Sequence, residues 1–343
     1  MSAYGAMAEW RLVRRPVGEP TADDVELVEM SLPPLDEGEA LVRNTFLSVD
    51  PYMRGRMNDA PSYVPPFPLG GPMDGGAVGV VESVRGEVTD RAGRAVRRGD
   101  TVLHDAGWRT HALLTGRAVR VVDAKAAPAQ SYLGILGMPG LTAYAGLLRV
   151  GEFRSGDRVF VSAAGGAVGS LVGQLARLKG ASLVVGSAGS PEKVRWLLDD
   201  AGFDRAIDYK AGPLRKALKV AAPEGIDVYF DNVGGDHLEA AISSLRQGGR
   251  VAMCGAVAQY NDTEAPAAPR NLSLAIGKRL TLRGFIVVDH RDLRPQFEEE
   301  VGALVRDGRI VWRETVIEGI ERTFDAFLAV LTGGNTGKML VRL

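Results

Sequence analysis

The pattern of apolar and polar positions is clearest between residues 157 and 193. Residues 159–161 form a short apolar run that predicts a buried strand, and a turn of serine, alanine and glycine, 162–169, follows it. Apolar residues then recur at helical spacing until Gly180, a residue type that is common just past a helix end. A second apolar run at 183–185 completes a predicted strand–helix–strand unit.

The first part of the chain, to about residue 125, contains short apolar segments separated by turn residues, which is typical of a β-rich domain. The spacing and the glycine density favour a coiled, partly closed barrel. Residues 61–76 are rich in proline and glycine, so an ordered loop rather than a helix is expected there. The strands are expected at 10–13, 26–29, 39–45, 77–84, 101–103 and 118–122.

After a helical crossover at 126–150, strands alternate with helical patterns. This alternation predicts a parallel, doubly wound sheet, whose ligands bind outside the carboxyl ends of the strands. Further strands of the sheet are expected at 206–209, 226–231, 250–255 and 280–285. The tail is expected to add strands at 310–312 and 339–341 with a helix at 320–331 between them.

These elements predict an α/β protein of two domains. Residues 1–125 together with 306–343 are expected to form the β-rich barrel domain, and residues 126–305 are expected to form the domain with the doubly wound parallel sheet.

The turn at 162–169 fits the dinucleotide fingerprint as Ala164-x-Gly166-x-x-Gly169, with alanine at the first glycine. Small residues let the backbone approach a pyrophosphate, and the helix N-terminus offers free N–H groups to it. A bare glycine pattern can also be a structural turn. The order of strand, turn and helix favours a dinucleotide cofactor.

The loop after the second strand indicates which dinucleotide binds. An NAD site has a carboxylate about 20 residues after the glycine turn, where it binds the ribose 2′-OH. Here residues 186–190 read Gly-Ser-Ala-Gly-Ser, without an acid, and Lys193 and Arg195 follow. Lys193 alone is equally consistent with a solvated helix lysine. The missing acid favours NADP, because an acid would repel its 2′-phosphate.

Composition narrows the possible functions. The chain has 343 residues and a formal net charge of −1 without a dominant basic block, so no nucleic-acid partner is expected. No apolar run is long enough to span a bilayer and the N-terminus lacks a signal-peptide core, so a cytoplasmic protein without a membrane partner is expected. Cys254 is the single cysteine, which excludes an internal disulfide.

No metal is expected either. The four histidines show no zinc-ligand spacing, and His104 and His111 are expected at the surface or as caps.

A set of short motifs occurs in order along the chain: 50–55 Asp-Pro-Tyr-Met-Arg-Gly, 138–144 Met-Pro-Gly-Leu-Thr-Ala-Tyr, 163–170 Ala-Ala-Gly-Gly-Ala-Val-Gly-Ser, 189–193 Gly-Ser-Pro-Glu-Lys, 229–235 Tyr-Phe-Asp-Asn-Val-Gly-Gly, 254–256 Cys-Gly-Ala with 260–261 Tyr-Asn, 284–287 Gly-Phe-Ile-Val and 335–338 Asn-Thr-Gly-Lys. With these motifs the chain resembles, over nearly its whole length, the zinc-free medium-chain dehydrogenase/reductase superfamily. Within it, the chain is similar to the branch of prostaglandin reductases and plant alkenal double-bond reductases.

The resemblance implies a GroES-like first domain, a Rossmann domain and NADPH-dependent reduction of an alkene conjugated to a carbonyl. It also implies a homodimer that forms through the edge of the sixth strand. The positions of the zinc ligands in related alcohol dehydrogenases are occupied here by residues around Asp50 and by the 71–75 loop. Leu141, where the branch often has asparagine, and the alanine- and proline-rich loop after Tyr260 leave the substrate open.

The resemblance further implies the contacts of the cofactor. The expected pyrophosphate contacts are Gly166, Ala167 and Val168. The expected 2′-phosphate contacts are Ser187, Lys193 and Tyr209. Asn232 is expected to bind a ribose or phosphate oxygen. The nicotinamide half is expected to contact Met138, Thr142, Cys254, Ala256, Tyr260, Phe285, Val287 and Asn335.

Two tyrosines are candidates for catalysis. Hydride from the nicotinamide would add to the β carbon of the substrate, and the resulting enolate oxygen needs a hydrogen-bond donor. Tyr260 lies just beyond a strand end, and Tyr52 is expected to face the substrate pocket. Each could equally be a half-buried packing tyrosine. Cys254 is interpreted as a strand-end residue rather than a nucleophile, because no base stands beside it.

Two other functions stay open. One is an NADPH-dependent quinone reductase of the same superfamily, and the other is a non-catalytic NADPH-binding protein, as some lens crystallins of the superfamily are. Intact cofactor loops argue against the second.

Overall fold

The structure is a computed structural model that describes residues 5–264 and 269–343. The alanine- and proline-rich loop after Tyr260 lies partly outside these residues. The chain divides into two compact units, each described below by itself. The first holds the residues up to Leu133, Glu314–Asn335 and Met339–Leu343, and the second holds Gly134–Arg313 and Thr336–Lys338.

The strands follow the predicted order closely. In chain order they are β1 (Ala6–Leu12), β2 (Val25–Ser31), β3 (Glu39–Ser48), β4 (Ala77–Arg85), β5 (Thr101–His104), β6 (His111–Thr115), β7 (Arg120–Val121), β8 (Arg158–Val161), β9 (Leu183–Ala188), β10 (Arg205–Asp208), β11 (Ile226–Asp231), β12 (Leu245–Met253), β13 (Thr281–Gly284), β14 (Glu314–Glu318) and β15 (Lys338–Arg342).

The helices lie mainly in the second unit. They are α1 (Met53–Arg56), α2 (Met138–Ala145), α3 (Gly169–Leu178), α4 (Pro191–Asp199), α5 (Leu214–Ala221), α6 (Gly235–Ser244), α7 (Leu274–Lys278), α8 (Arg294–Arg306) and α9 (Thr323–Leu331). A short π-helical turn, Gly146–Val150, extends α2, and 3-10 turns include Val257–Gln259, Val287–Leu293 and Ile320–Arg322. Among the residues described, no helix is both long enough and apolar enough to cross a membrane.

In the first unit the antiparallel sheet has the order β14-β15-β3-β4-β5-β7, and β1 pairs with β2 separately. The long strand β3 carries β4 along one edge, while its other edge is shared by β6 and then β15. Sharing one strand in this way curves the sheet, and large side chains such as Phe67, Trp108 and Phe327 fill its core. The predicted loop at 61–76 contains no helix or strand.

The second unit contains a six-stranded sheet in the order β10-β9-β8-β11-β12-β13, with every pair parallel. This order reverses between β8 and β11, which is the topological switch point of a Rossmann fold. Phe160 and Tyr229 stack at 5.0 Å in its core. The predicted fold class, an α/β protein with a β-rich domain and a doubly wound parallel sheet, is confirmed.

Some local predictions were wrong. Residues 310–312 do not form a strand, because the Gln174 side chain on α3 bonds the backbone of Val311 at both N–H and C=O, each at 2.8 Å. The strands β6 and β14 were not predicted. The strand predicted at 118–122 is shorter than expected, because its first residue, Ala118, ends a 3-10 turn, Gly116–Ala118, and the strand covers Arg120–Val121.

Candidate functional site

The glycine-rich turn joins the end of β8 to the start of α3. The N–H of Ala164 donates to the carbonyl of Ser187 on β9 at 2.9 Å, which ties the turn to the neighbouring strand. Ala163 has a φ of 47°, a left-handed conformation that non-glycine residues rarely adopt. The turn is therefore held in one shape by its own backbone and by β9.

Two glycines of this turn have different tasks. A Cβ on Gly169 would lie 2.5 Å from the carbonyl oxygen of Ala163 and 2.8 Å from the Cα of Ala164, so only glycine allows α3 to pack this closely. A Cβ on Gly166 would meet only the Ala163 oxygen, at 3.2 Å, and otherwise faces open space. The open side of Gly166 and the free N–H groups that begin α3 fit a pyrophosphate.

Lys193, on α4, lies against the same turn. A Cβ on Gly165 would lie 3.2 Å from the Cδ of Lys193, so the aliphatic stem of the lysine packs on that glycine. Burial, and secondarily the nearby charge of Lys210, lowers the pKa of the Lys193 ammonium. An anion bound beside the ammonium would raise this pKa again.

Tyr209 follows β10 and lies against the next loop. Its hydroxyl would be 2.9 Å from a Cβ on Gly189, and its N–H donates to the carbonyl of Ala188 at 3.1 Å. The ammonium of Lys210 lies 6.0 Å from the centre of its ring. The ends of β9 and β10 thus bring a phenol and two lysines together, and Lys210 is a cation that the sequence reasoning missed although it directly follows Tyr209.

Ser187 is placed differently from the other predicted phosphate contacts. Its side chain is fully buried in β9, and its Oγ has no hydrogen-bond partner among the residues described. Its side chain therefore does not point outward to a ligand, but its small size leaves space at the strand end.

At the end of β11, Asn232 is fixed on Ser162 of the turn. Its Nδ2 donates to the Ser162 carbonyl at 2.7 Å, and its N–H donates to the Ser162 Oγ at 2.9 Å. These bonds join the two central strands across the switch point, where a ligand of this fold binds.

A buried carboxylate, Asp231, organises this strand end. Its Oδ1 accepts from the Tyr229 hydroxyl at 2.6 Å and from the N–H groups of Val233 at 3.0 Å and Gly234 at 2.8 Å. Burial raises the pKa of Asp231, and these hydrogen bonds offset part of that rise. The sequence shows Asp231 only as part of a strand and of the 229–235 motif, because its hydrogen-bond partners come together only in the fold.

The end of β12 continues the network. The N–H of Cys254 donates to the Asp231 carbonyl at 2.8 Å, and burial raises the pKa of the thiol to about 12. Cys254 is therefore neutral near pH 7, as its interpretation as a strand-end residue requires. The hydroxyl of Tyr260 would lie 3.5 Å from a Cβ on Gly255, whose other neighbour is the Asn232 carbonyl. Ala256 packs on Gly234 of the neighbouring loop.

Phe285 and Val287 follow the end of β13. The Phe285 ring lies edge-on to Phe230 at 6.2 Å and covers Gly146, where a Cβ would be 2.5 Å from both rings. On α2, Thr142 is largely buried and donates to the Met138 carbonyl at 2.8 Å, while Met138 is 38% exposed.

Two predicted site residues, Tyr52 and Asn335, belong to the first unit. Tyr52 packs against the core of that unit, and burial together with the charge of Asp50 raises the pKa of its hydroxyl, so the phenol is protonated near pH 7. Asn335 directly precedes Thr336–Lys338 of the second unit, where the Gly337 N–H donates to the Gly165 carbonyl at 2.7 Å.

The described parts of the chain contain no group of three or more His, Cys, Asp or Glu side chains placed to hold a metal ion. His104 is buried rather than at the surface. Its Nδ1 accepts from the N–H of Ala106 at 3.1 Å and its Nε2 lies 2.9 Å from the Oδ1 of Asn44. Burial lowers the pKa of His104 to about 3, so it acts as a neutral cap of the backbone.

Comparison with known proteins shows the family to which the chain belongs. Residues 8–122 match a family described as the N-terminal domain of oxidoreductase, and residues 167–305 match one described as zinc-binding dehydrogenase. The NADPH-dependent curcumin reductase of Escherichia coli is 40% identical, over 97% of this chain and 96% of that protein. Prostaglandin reductase 1 of Bos taurus is 41% identical, over 97% of this chain and 98% of that protein.

The chain belongs to the medium-chain dehydrogenase/reductase superfamily. The crystal structure of CurA from Vibrio vulnificus in complex with NADPH covers 98% of both chains with a TM-score of 0.90 and 39% identity. The predicted branch, that of prostaglandin and alkenal double-bond reductases, is confirmed, and with it the prediction of an NADP-dependent oxidoreductase. The Escherichia coli quinone oxidoreductase complexed with NADPH shares the fold, with a TM-score of 0.76 over 97% of this chain and 100% of that one. The two sequences are 21% identical.

Proposed function

We propose that this protein reduces the carbon–carbon double bond of α,β-unsaturated ketones and aldehydes with NADPH. The observation that carries the proposal is an open glycine turn that lies beside Lys193, with no acid in the loop that begins at the β9 end. This site occurs in a chain that is 40% identical to a curcumin reductase over 97% of its length. The acid-free lysine site suits a 2′-phosphate, and the relatives include reductases named for curcumin, for prostaglandins and for 2-alkenals, which are α,β-unsaturated aldehydes.

The phosphate groups are assigned to the β8, β9 and β10 ends. The N–H groups around Gly166, Ala167 and Val168 would bind the pyrophosphate, because this side of the turn is open. Lys193 and Tyr209 would bind the 2′-phosphate, with Lys210 as a second cation and with Ser187 leaving room beneath it.

The ends of β11, β12 and β13 are assigned to the nicotinamide half. Asn232, held on Ser162, would bind a ribose oxygen. The remaining contacts proposed for this half are Met138, Thr142, Cys254, Ala256, Tyr260, Phe285, Val287 and Asn335.

When bound, NADPH supplies the hydride that reduces the substrate. The Tyr260 hydroxyl, near the β12 end, would donate to the substrate oxygen as negative charge develops there, or it would orient the cofactor ribose. Tyr52 is the alternative donor that the resemblance to the superfamily implies. Phe285 and the buried faces of the strand ends would exclude water from this side.

The test is a set of NADPH-oxidation assays under anaerobic conditions with an enal, an enone and a quinone. We expect NADPH to be consumed with the enal and the enone, and the saturated carbonyl compound to be the product. Rapid quinone reduction with no turnover of either alkene would replace this proposal by a quinone reductase. Tight NADPH binding with no turnover of any acceptor would indicate a non-catalytic protein.

We also propose a homodimer that forms through β13, the end strand of the parallel sheet. Nearby apolar side chains on α7 are exposed, with Ile276 at 82% and Leu274 at 40%. Sedimentation of the protein and of Ile276→Glu tests the assignment, since a charge in the interface should release monomers. The cytoplasmic location expected from the sequence stays a prediction.

A further inference from the structure

His237 lies in the first turn of α6 and is 5% exposed. Its Nε2 is buried and has no hydrogen-bond partner within residues 5–264 and 269–343. A buried polar atom without a partner destabilises the fold, and an apolar side chain would avoid that penalty. The position of this histidine therefore needs an explanation beyond packing of α6.

The ring of His237 lies against Tyr209. The two ring centroids are 4.9 Å apart with an interplanar angle of 74°, which is the edge-to-face geometry that aromatic pairs prefer. Tyr209 is 37% exposed, and its hydroxyl end rests against Gly189. His237 and Gly189 together restrict the orientation of a phenol that would otherwise turn in solvent.

Charge does not explain the arrangement. Burial lowers the pKa of His237 to about 4, so the imidazole is neutral near pH 7 and adds no cation to Lys193 and Lys210. Its effect on a bound anion must then come from its shape and its contact with Tyr209.

We propose that His237 is a positioning residue for the 2′-phosphate of NADPH, because its ring holds the Tyr209 phenol over Gly189. A side chain that is ordered before the ligand arrives loses less freedom on binding, so affinity rises. This gain in affinity applies only to a cofactor with a 2′-phosphate for Tyr209 to contact. His237 therefore contributes to the preference for NADPH over NADH. This inference rests on the proposed placement of the 2′-phosphate by Lys193 and Tyr209.

The test compares His237→Ala with His237→Phe, which keeps an aromatic ring and removes the unpaired nitrogen. Ile242→Ala, a truncation in the buried core on the same helix, is the matched control for loss of stability. The probes are NADPH, NADH and the adenosine fragments 2′,5′-ADP and 5′-AMP, with dissociation constants from calorimetry and Michaelis constants from turnover.

We expect His237→Ala to weaken NADPH and 2′,5′-ADP by roughly three- to ten-fold, the effect of ordering one side chain. Binding of NADH and 5′-AMP should change by less than about two-fold, and kcat at saturating NADPH should hold, since the chemistry is elsewhere. His237→Phe should keep the wild-type preference for NADPH over NADH. Ile242→Ala should lower the melting temperature but leave that preference unchanged.

An unchanged ratio of NADPH to NADH affinity in His237→Ala would overturn the inference, as would a His237→Phe variant that behaves like His237→Ala. Lys193→Ala separates the role of His237 from the placement of the 2′-phosphate. Loss of the preference in Lys193→Ala but not in His237→Ala refutes only the role of His237. A preference retained in Lys193→Ala refutes the phosphate placement and the inference with it.

Discussion

The ends of β9 and β10 would present side chains to the proposed cofactor. The ends of β11 and β12 would instead present backbone, which buried hydrogen bonds to the Asp231 side chain hold in place. On the first, here named the phosphate side, Lys193 packs on Gly165, Tyr209 packs on Gly189, and the Lys210 ammonium lies 6.0 Å from the centre of the Tyr209 ring. On the second, named the nicotinamide side, Asp231 fixes the following loop through buried hydrogen bonds. Under the proposed function, specificity for one phosphate would depend on a few replaceable side chains, and binding of the nicotinamide half would depend on a hydrogen-bond network that acts as a unit.

The largest effect is expected at Gly166, where the two sides meet. Gly166→Val should place its side chain in the open space assigned to the pyrophosphate and abolish measurable NADPH binding. Calorimetric titration measures the binding, and the melting temperature without cofactor should stay close to wild type. Retained NADPH affinity would show that the pyrophosphate lies elsewhere.

Gly169→Ala is the matched control for Gly166→Val. Its Cβ would approach the backbone of Ala163 and Ala164, so it should destabilise the protein by about 1–3 kcal/mol, as overpacking does. A loss of stability in Gly169→Ala but not in Gly166→Val separates the structural glycine from the binding one.

The next effect tests the nicotinamide side. Tyr260→Phe removes only the hydroxyl, and kcat should fall by up to about two to three decades if that group donates in the transition state. If it only orients the ribose, the Michaelis constant for NADPH should rise with little change in kcat. Steady-state kinetics with Tyr52→Phe in parallel shows whether the donor lies in the first unit. No change in either constant would return Tyr260 to a packing role.

Lys193→Ala tests the phosphate side. A charge-assisted contact to phosphate contributes roughly 1.5–3 kcal/mol, so NADPH affinity should fall by about one to two decades while NADH affinity changes little. Fluorescence titration of both cofactors measures the difference. Equal losses for both would mean that Lys193 supports the fold rather than the phosphate.

A smaller, pH-dependent effect follows from the lowered pKa of Lys193. As pH rises through that pKa, the ammonium loses its proton. NADPH binding should therefore weaken at a lower pH than it would with a lysine of ordinary pKa. NADH binding should not follow this change. Lys193→Arg, which keeps its charge, should flatten the NADPH profile. Identical profiles for both cofactors would contradict the assignment.

No effect is expected from removing metals. If the nicotinamide side works through its hydrogen-bond donors alone, exhaustive chelation should leave turnover unchanged and elemental analysis should find no stoichiometric zinc. Loss of activity that zinc restores would overturn the metal-free prediction.

Local sequence determined much of the fold, since periodicity predicted the order of strands and helices around the glycine turn. It failed where distant groups decide the local structure. Residues 310–312 have a strand-like composition, but the Gln174 amide takes the place of a neighbouring strand at Val311. Strand β6 was missed because its pairing with β3 is not visible in a short segment.

The same division holds for the site. The sequence by itself determined the glycine turn, the missing acid and Lys193, because each depends on residue type and on spacing within one strand–helix–strand unit. Only the tertiary structure showed that Asp231, Tyr229 and Ser162 share one buried network and that His237 lies on Tyr209. These contacts join strand ends and helices far apart in the chain, and hydrogen bonds and ring packing act only at the short distances that folding creates.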